Sequence, residues 1–410
     1  MHADGRAPRR FSEYCESTYQ CDRGRVSSEE IQIPRGFFLK SPLTVRVSFL
    51  VVLASLLALG STPLHPVWEV RLADKLAEPA GWTAARGHPV LALVFSPDGS
   101  KLAATMDDHY AAGGFKTNLL VLDAQNPQGL FRQFDIETCG NFLAWAPEGN
   151  ALLVCGTVAR LDDGSSCDLF RSPLERAFGN GLNFIYWLAT DRLIRSDRST
   201  ADLSCRPLGT WETQGKWAVA GTLPAKGWIL LGQSVQRTIR VKTLPYNYYA
   251  IGDRDSHALT SGIFLADTYG DGSPIMTPGA EAVCITVSHP GQSKWTLGCR
   301  SLPKGSAIPI PKDLAEYVIT QASNNSSVVV AERFGYHAWS LFREVPDYLN
   351  LLVVDVRSGH RLASLKPRMQ PGNGATLSNI QNWYFQYALS PGGRFLAEGG
   401  NGDLRLFQLQ

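Results

Sequence analysis

Apolar and polar positions along this chain fall into short strand-like runs punctuated by turn residues. The clearest unit is HPVLALVFSPDGSKLAATMDDHYAAGGFKTNLLVLD, His88 to Asp123. Leu91–Phe95 is a short apolar run. Ser96-Pro97-Asp98-Gly99 is a turn with a mechanism: Pro97 presets φ, while Asp98 and Gly99 accept tight or left-handed positions. Lys101–Met106 resumes an apolar strand, and Leu119–Asp123 supplies a third.

Versions of this unit recur to the C-terminus. The second runs Phe142–Trp145, turn 146–149, Ala151–Cys155, then Asp168–Arg171. The third is Phe184–Leu188, turn 189–191, Arg192–Arg195, then Ala201–Pro207. The fourth is Trp217–Ala220, turn 223–227, Trp228–Leu231, then Thr238–Thr243. The fifth is less regular: Gly262–Ala266, turn 277–279, Ala282–Val287, then Trp295–Arg300. The sixth is Tyr317–Thr320, turn 323–325, Ser327–Ala331, then Leu349–Asp355 after an inserted loop. The seventh is Trp383–Leu389, turn 390–393, Arg394–Ala397, then Asp403–Gln408. Successive turns are about 50 residues apart, slightly above the roughly 40–45 of regular four-stranded propeller blades. Extra length falls before the fifth turn and between Glu332 and Asn350. No unit can bury both its faces alone, so the units must pack radially. The expected fold is all-β: a β-propeller of seven four-stranded blades.

SPDGSKLAAT and LSPGGRFLAEGGNGDLRLFQL resemble WD-repeat β-propeller blades of a divergent, exported bacterial type. Asn350–Leu365 and Asn118–Phe134 resemble the third strand, turn and fourth strand of such a blade. The likeness covers roughly residues 66–410. The family's Trp-Asp dipeptide is replaced by Leu122-Asp123 and Val354-Asp355, with no Asp read at that place in the other units. The Gly-His that opens a typical repeat of that family is read only at Gly87-His88, before the first unit. The resemblance implies that Val67–Leu72, which has no partner in its own unit, pairs with the last blade and closes the ring.

Composition agrees with many turns and little helix: Gly 38, Pro 24 and only 4 Met among 410 residues. Eight of the 39 Lys/Arg and six of the 37 Asp/Glu lie in residues 1–46, leaving 31 of each beyond, so the body is formally neutral. It lacks the basic footprint of a nucleic-acid binder. Residues 1–44 are a polar preamble, expected to be disordered. Residues 45–61 contain VSFLVVLASLLALG, Val47 to Gly60, an uncharged run of about 14 residues that suits a signal peptide or a membrane anchor better than a spanning helix of ordinary length. Residues 62–410 are the propeller. Export accords with the cysteines. None forms a CxxC pair. Cys139/Cys155 and Cys284/Cys299 bracket hairpin-sized segments, which leaves Cys167/Cys205; six buried thiols are the alternative.

Catalytic signatures are scarce. G-x-S-x-G, H-E-x-x-H and P-loop motifs do not occur. Ser301-Leu-Pro-Lys304 matches S-x-x-K, but Pro303 breaks the helical turn such a pair needs. Asp267–Gly272 has the alternating oxygens of a calcium loop without the distant Glu, and Asp162-Asp163-Gly164 is weaker; an ordinary polar turn suits both. His88, His109, His257, His289, His337 and His360 show no metal-ligand spacing. No catalytic residue, metal ligand or cofactor is assigned. Trp145, Trp187, Trp217 and Trp228 read as packing between blades. Aromatic residues in projected loops mark the candidate binding residues: His109, Tyr110 and Phe115 in one loop, and Tyr336, His337, Trp339 and Tyr348 in Glu332–Asn350. A short helix folded over a blade edge is the alternative for the second. The expected function is a non-catalytic binding or scaffolding module, monomeric, recognising another protein, an envelope component or a small ligand with loops of one face, outside the cytoplasm. The runner-up is a propeller enzyme, a metal-dependent hydrolase or lactonase with its site in the central channel.

Overall fold

The computed structural model describes residues 64–72, 90–108, 116–136, 142–170, 185–239, 242–259, 264–266, 274–277, 279, 281–288, 295–340, 343–365, 386–400 and 402–409. They form seven antiparallel four-stranded sheets. After β1 (Pro66–Arg71), blade one is β2 (Val90–Phe95), β3 (Lys101–Asp108), β4 (Lys116–Asp123) and β5 (Leu130–Ile136). Blade two is β6 (Leu143–Trp145), β7 (Ala151–Val154), β8 (Thr157–Arg160) and β9 (Ser166–Asp168). Blade three is β10 (Ile185–Trp187), β11 (Arg192–Arg195), β12 (Ser199–Asp202) and β13 (Pro207–Thr210). Blade four is β14 (Ala218–Leu223), β15 (Trp228–Ile239), β16 (Lys242–Asp253) and β17 (Phe264–Ala266). Blade five is β18 (Ile275–Thr277), β19 (Ala282–Ser288), β20 (Trp295–Ser301) and β21 (Ala307–Ile308). Blade six is β22 (Val318–Ala322), β23 (Val328–Ser340), β24 (Arg343–Asp355) and β25 (Arg361–Leu365). Blade seven is β26 (Gln386–Leu389), β27 (Phe395–Gly399) and β28 (Asp403–Gln408), completed by β1. First strands of neighbouring blades abut around the ring, β2 on β6 and β26, β14 on β10 and β18, β22 on β18 and β26. The first strand of each blade is therefore innermost. The molecule is a seven-bladed β-propeller, as expected.

Burial on both sides of each blade explains the sequence pattern. Leu119 to Leu122 on β4 are all fully buried. Leu119 and Val121 pack towards blade two, Leu120 and Leu122 towards blade seven. A strand covered on both faces reads as an apolar run, not as alternation. Polar links then set the spacing of the inner strands: Trp145 Nε1 donates to the Val94 carbonyl at 3.1 Å, Trp187 Nε1 to that of Ala144 at 3.2 Å, and Thr222 Oγ1 to that of Trp187 at 2.7 Å. Trp145 and Trp187 pack between blades as expected, each with its N–H satisfied.

Closure follows the expectation too. β1 pairs antiparallel with β28, Glu69 opposite Arg405 and Val70 opposite Leu404. Register then lines up a polar row across blade seven, Tyr387–Glu398–Arg405–Glu69. Tyr387 Oη donates to the buried Glu398 carboxylate at 3.2 Å, and Arg405 reaches Glu69 at 2.9 Å and Glu398 at 4.0 Å. The row ties the N-terminal strand to all three strands of its host.

Several unit boundaries are corrected. Third strands in blades two and three are β8 and β12; Asp168 belongs to the fourth strand of blade two, and Pro207 starts that of blade three. Gly262–Ala266 does not open blade five: its strand β17 pairs with β16. Thr238–Thr243 is no third strand but the tip of a hairpin, with Thr238 opposite Thr243. The insertion 332–350 is neither loop nor helix; it continues β23 and β24 as a paired ribbon. Asp202 and Asp253 end third strands, so they occupy the place of Asp123 and Asp355. In each, the carboxylate accepts backbone N–H groups of the following turn, from Gln125, Ser204, Ser256 and Arg357 at 2.7–2.8 Å. Backbone N–H groups of Arg206 and Ser256 hold the Asp202 and Asp253 carboxyls below the usual range.

Two disulfides match the pairing read from spacing. Cys167–Cys205 joins β9 to the turn after β12, across blades two and three. Cys284–Cys299 joins directly opposed residues of β19 and β20, Cα atoms 4.1 Å apart. Cys155 is also disulfide-bonded; Cys139, its expected partner, lies outside the described residues, as do Val47–Gly60 and the rest of the preamble. No helix among the described residues is long and apolar enough to cross a membrane.

Candidate functional site

Strand direction alternates within each blade, so the connections sort onto two faces. First-to-second and third-to-fourth connections lie on one face. Second-to-third connections lie on the other, together with the links between blades. The first set is tight. Ser96 Oγ donates to Asp98 at 2.5 Å and accepts from the Lys101 N–H at 2.9 Å; Ser390 Oγ accepts from the Arg394 and Phe395 N–H groups. Gly99 closes its turn at φ +76°, a conformation costly to a residue with a Cβ. Ser301 also sits in such a turn, its Oγ donating to the Ser306 carbonyl, which removes the S-x-x-K pairing. Asp162 and Asp163 are used in the same way: the first pairs with Arg160 and the second accepts from Ser165. They form an ordinary polar turn. His257 stacks on Trp211 with ring centroids 5.3 Å apart and hydrogen-bonds the Glu212 carbonyl at 2.9 Å.

The opposite face differs. Blades two, three and seven turn quickly from second to third strand. In blade four, β14 pairs with β15 only as far as Gly232, opposite Ala218, yet β15 and β16 pair on to Ile239 and Lys242. In blade six, β22 ends opposite Glu332, yet β23 and β24 pair on to Ser340 and Arg343. At about 3.3 Å per residue, the two ribbons extend on the order of 23–26 Å past the inner strands. The base of the blade-six ribbon is anchored. Arg333 meets Glu316 at 2.6 Å, Asn350 donates to Tyr317 at 3.1 Å, and Thr320 donates to Glu332 at 2.7 Å. Below the blade-four ribbon, burial pushes the Tyr186 and Tyr249 phenols up.

The register sorts the residues singled out from sequence. Phe334 lies opposite Tyr348 and Tyr336 opposite Pro346, on one side of the blade-six ribbon; His337, opposite Val345, lies on the other, and Trp339 falls in a register shift near the tip. Tyr336 and Tyr348 thus share a face that also includes Phe334 and Pro346, which sequence reading left out. His109, Tyr110 and Phe115 lie outside the described residues, as does Asp267–Gly272; the strands flanking residues 109–115 pair up to Asp108 and Lys116, on the same face as the ribbons. The blade-four ribbon was missed altogether. Its signal was the β-rich, turn-free stretch WILLGQSVQRTI. Among the described residues no three His, Cys, Asp or Glu side chains form a group able to hold a metal ion.

Fold and closure thus define a seven-bladed β-propeller with two ribbons raised on one face. No family model and no curated protein matches the chain. Solved structures similar to it include a chain of Kuenenia stuttgartiensis hydrazine synthase, 11% identical, with 81% of this chain and 99% of that chain covered at a TM-score of 0.49. A chain of the mitotic checkpoint complex is 12% identical, with 92% and 99% covered at 0.48.

Proposed function

We propose that this protein is an exported, non-catalytic binding or scaffolding module of divergent WD-repeat type, which recognises another protein with the ribbon-bearing face of a rigid disc. The observation that carries this reading is the blade-six ribbon: a two-stranded extension, anchored at its base, that continues past the pairing with β22 and places Phe334, Tyr336, Pro346 and Tyr348 by register on one side. Aromatic residues on a preorganised scaffold recognise partners at little entropic cost. The disulfides support a place outside the cytoplasm, since such bonds persist in oxidising compartments. Residues 45–61 are the segment that would direct export or tether the propeller.

The test replaces residues 333–350 with Asn-Gly, joining the opposed Glu332 and Leu351. The expected outcome is a melting temperature within about 2 °C of the parent, together with loss of the protein partners cross-linked to the parent in intact cells. An unchanged cross-linking pattern would remove blade six from recognition.

A further inference from the structure

A two-stranded ribbon has two edges, and in both ribbons the edges differ. The outer edges are blunted. β16 carries Pro245 and β24 carries Pro346, and β24 also shifts register around Leu349. A proline offers no N–H and a bulge twists an edge away, and both deter strand addition. The inner edges belong to β15 and β23, whose inner neighbours stop at Ala218 and Val318. The β15 edge, Gln233–Ile239, holds no proline and its pairing to β16 is regular throughout. No strand among the described residues pairs with it on that side. The β23 edge shifts register between Ala338 and Ser340, which leaves β15 the more regular template. A long regular edge left open beside a blunted one is an acceptor for a further strand.

The register also defines what that strand should carry. Gln233, Val235, Arg237 and Ile239 share one side of the ribbon, and Ser234, Gln236 and Thr238 the other. Between Gly232 and Gly252 the chain contains basic residues and no Asp or Glu, although the body as a whole is formally neutral. A strand added beside β15 would set its own alternate residues next to Val235, Arg237 and Ile239, where apolar and opposite-charge neighbours are favoured. We infer that the inner edge of β15 docks an extended segment of another protein by β-strand addition, with the pattern apolar, any, acidic, any, apolar. This rests on the binding-module reading and adds the chemistry of the partner.

The experiment uses the oxidised full-length chain and two capped heptapeptides, TVTETVT and TVTKTVT, whose palindromic sequences make strand direction immaterial. TVTETVT should bind saturably, at least tenfold more tightly than TVTKTVT, and slow amide hydrogen exchange within residues 233–239. Arg237→Glu should reverse the preference, a result that loss of fold cannot produce. No saturable binding up to millimolar peptide, equal binding of the two peptides, or protection confined to other segments would overturn the inference. So would concentration-dependent dimerisation abolished by Arg237→Glu, which would make a second copy the occupant, or binding to phosphatidylserine vesicles with no response to either peptide. Failure here, with partner loss on replacing residues 333–350, would leave the binding-module reading standing; failure of both would remove it.

Discussion

The two faces of the disc are built from the same strands and differ in how those strands are joined. On one face, side chains such as Ser96, Asp98, Ser390 and Asp253 satisfy the backbone groups of their own turns. Those turns spend their polar groups on themselves. On the other face, β15–β16 and β23–β24 carry their pairing well past the inner strands and leave edges and aromatic residues outside the blades. The difference separates two tasks. Tight turns hold the blades in register, and the ribbons continue beyond the pairing with the inner strands.

The largest expected effect tests what both faces share. Deleting residues 62–75 removes β1 and reopens blade seven along β28. Loss of about five paired residues, the buried Val70 and the Trp68 link to the Ala124 carbonyl should cost several kcal/mol and broaden thermal unfolding; an unchanged melting temperature would deny β1 its closing role. Next is Glu398→Ala, which removes the buried carboxylate that Tyr387 and Arg405 share. It should destabilise by on the order of 3 kcal/mol in denaturant unfolding, with exchange quickening first in β1.

The turn face is tested more gently by Asp98→Asn. Hydrogen bonding from the Ser96 hydroxyl, opposed by partial desolvation and helped by Ser100, lowers the Asp98 carboxyl to about 2. A depressed carboxyl stabilises the fold fully above its unfolded value of about 3.9, and that contribution is lost as pH falls towards 2. Asp98→Asn should therefore cost about 1 kcal/mol at pH 7, and the gap between parent and variant should narrow between about pH 4 and 2. A gap that is constant with pH would remove the carboxylate from the account. Smallest in stability is the ribbon replacement at residues 333–350 described above. If it destabilised as much as Glu398→Ala, the division between the faces would fail.

How much of this was open to sequence reading depended on whether the signal was local. Turns such as SPDG and SPGG specify their own geometry, and runs such as Leu119–Leu122 report burial on both faces, so blade number could be read from the chain; two disulfide pairings followed from cysteine spacing and elimination, and the closing strand only from the resemblance to WD-repeat blades. The ribbons could not. Their connections, Arg240-Val241 and Leu341-Phe342, lack the Gly, Asn or Pro that mark a hairpin. Tyr336 and His337 are adjacent in sequence, and only pairing with Pro346 and Val345 places them on opposite sides. Asp202 and Asp253 were overlooked for a related reason: their role shows only once β12 and β16 are assigned to the right blades.

The sequence by itself determined the repeated unit, because turn chemistry and apolar runs act within a few residues. Tertiary structure alone decided where each strand stops being paired, which edge is left open and which aromatic residues share a face. Those depend on hydrogen bonds to neighbours far away in the chain, and a one-residue change of register moves every side chain to the other side.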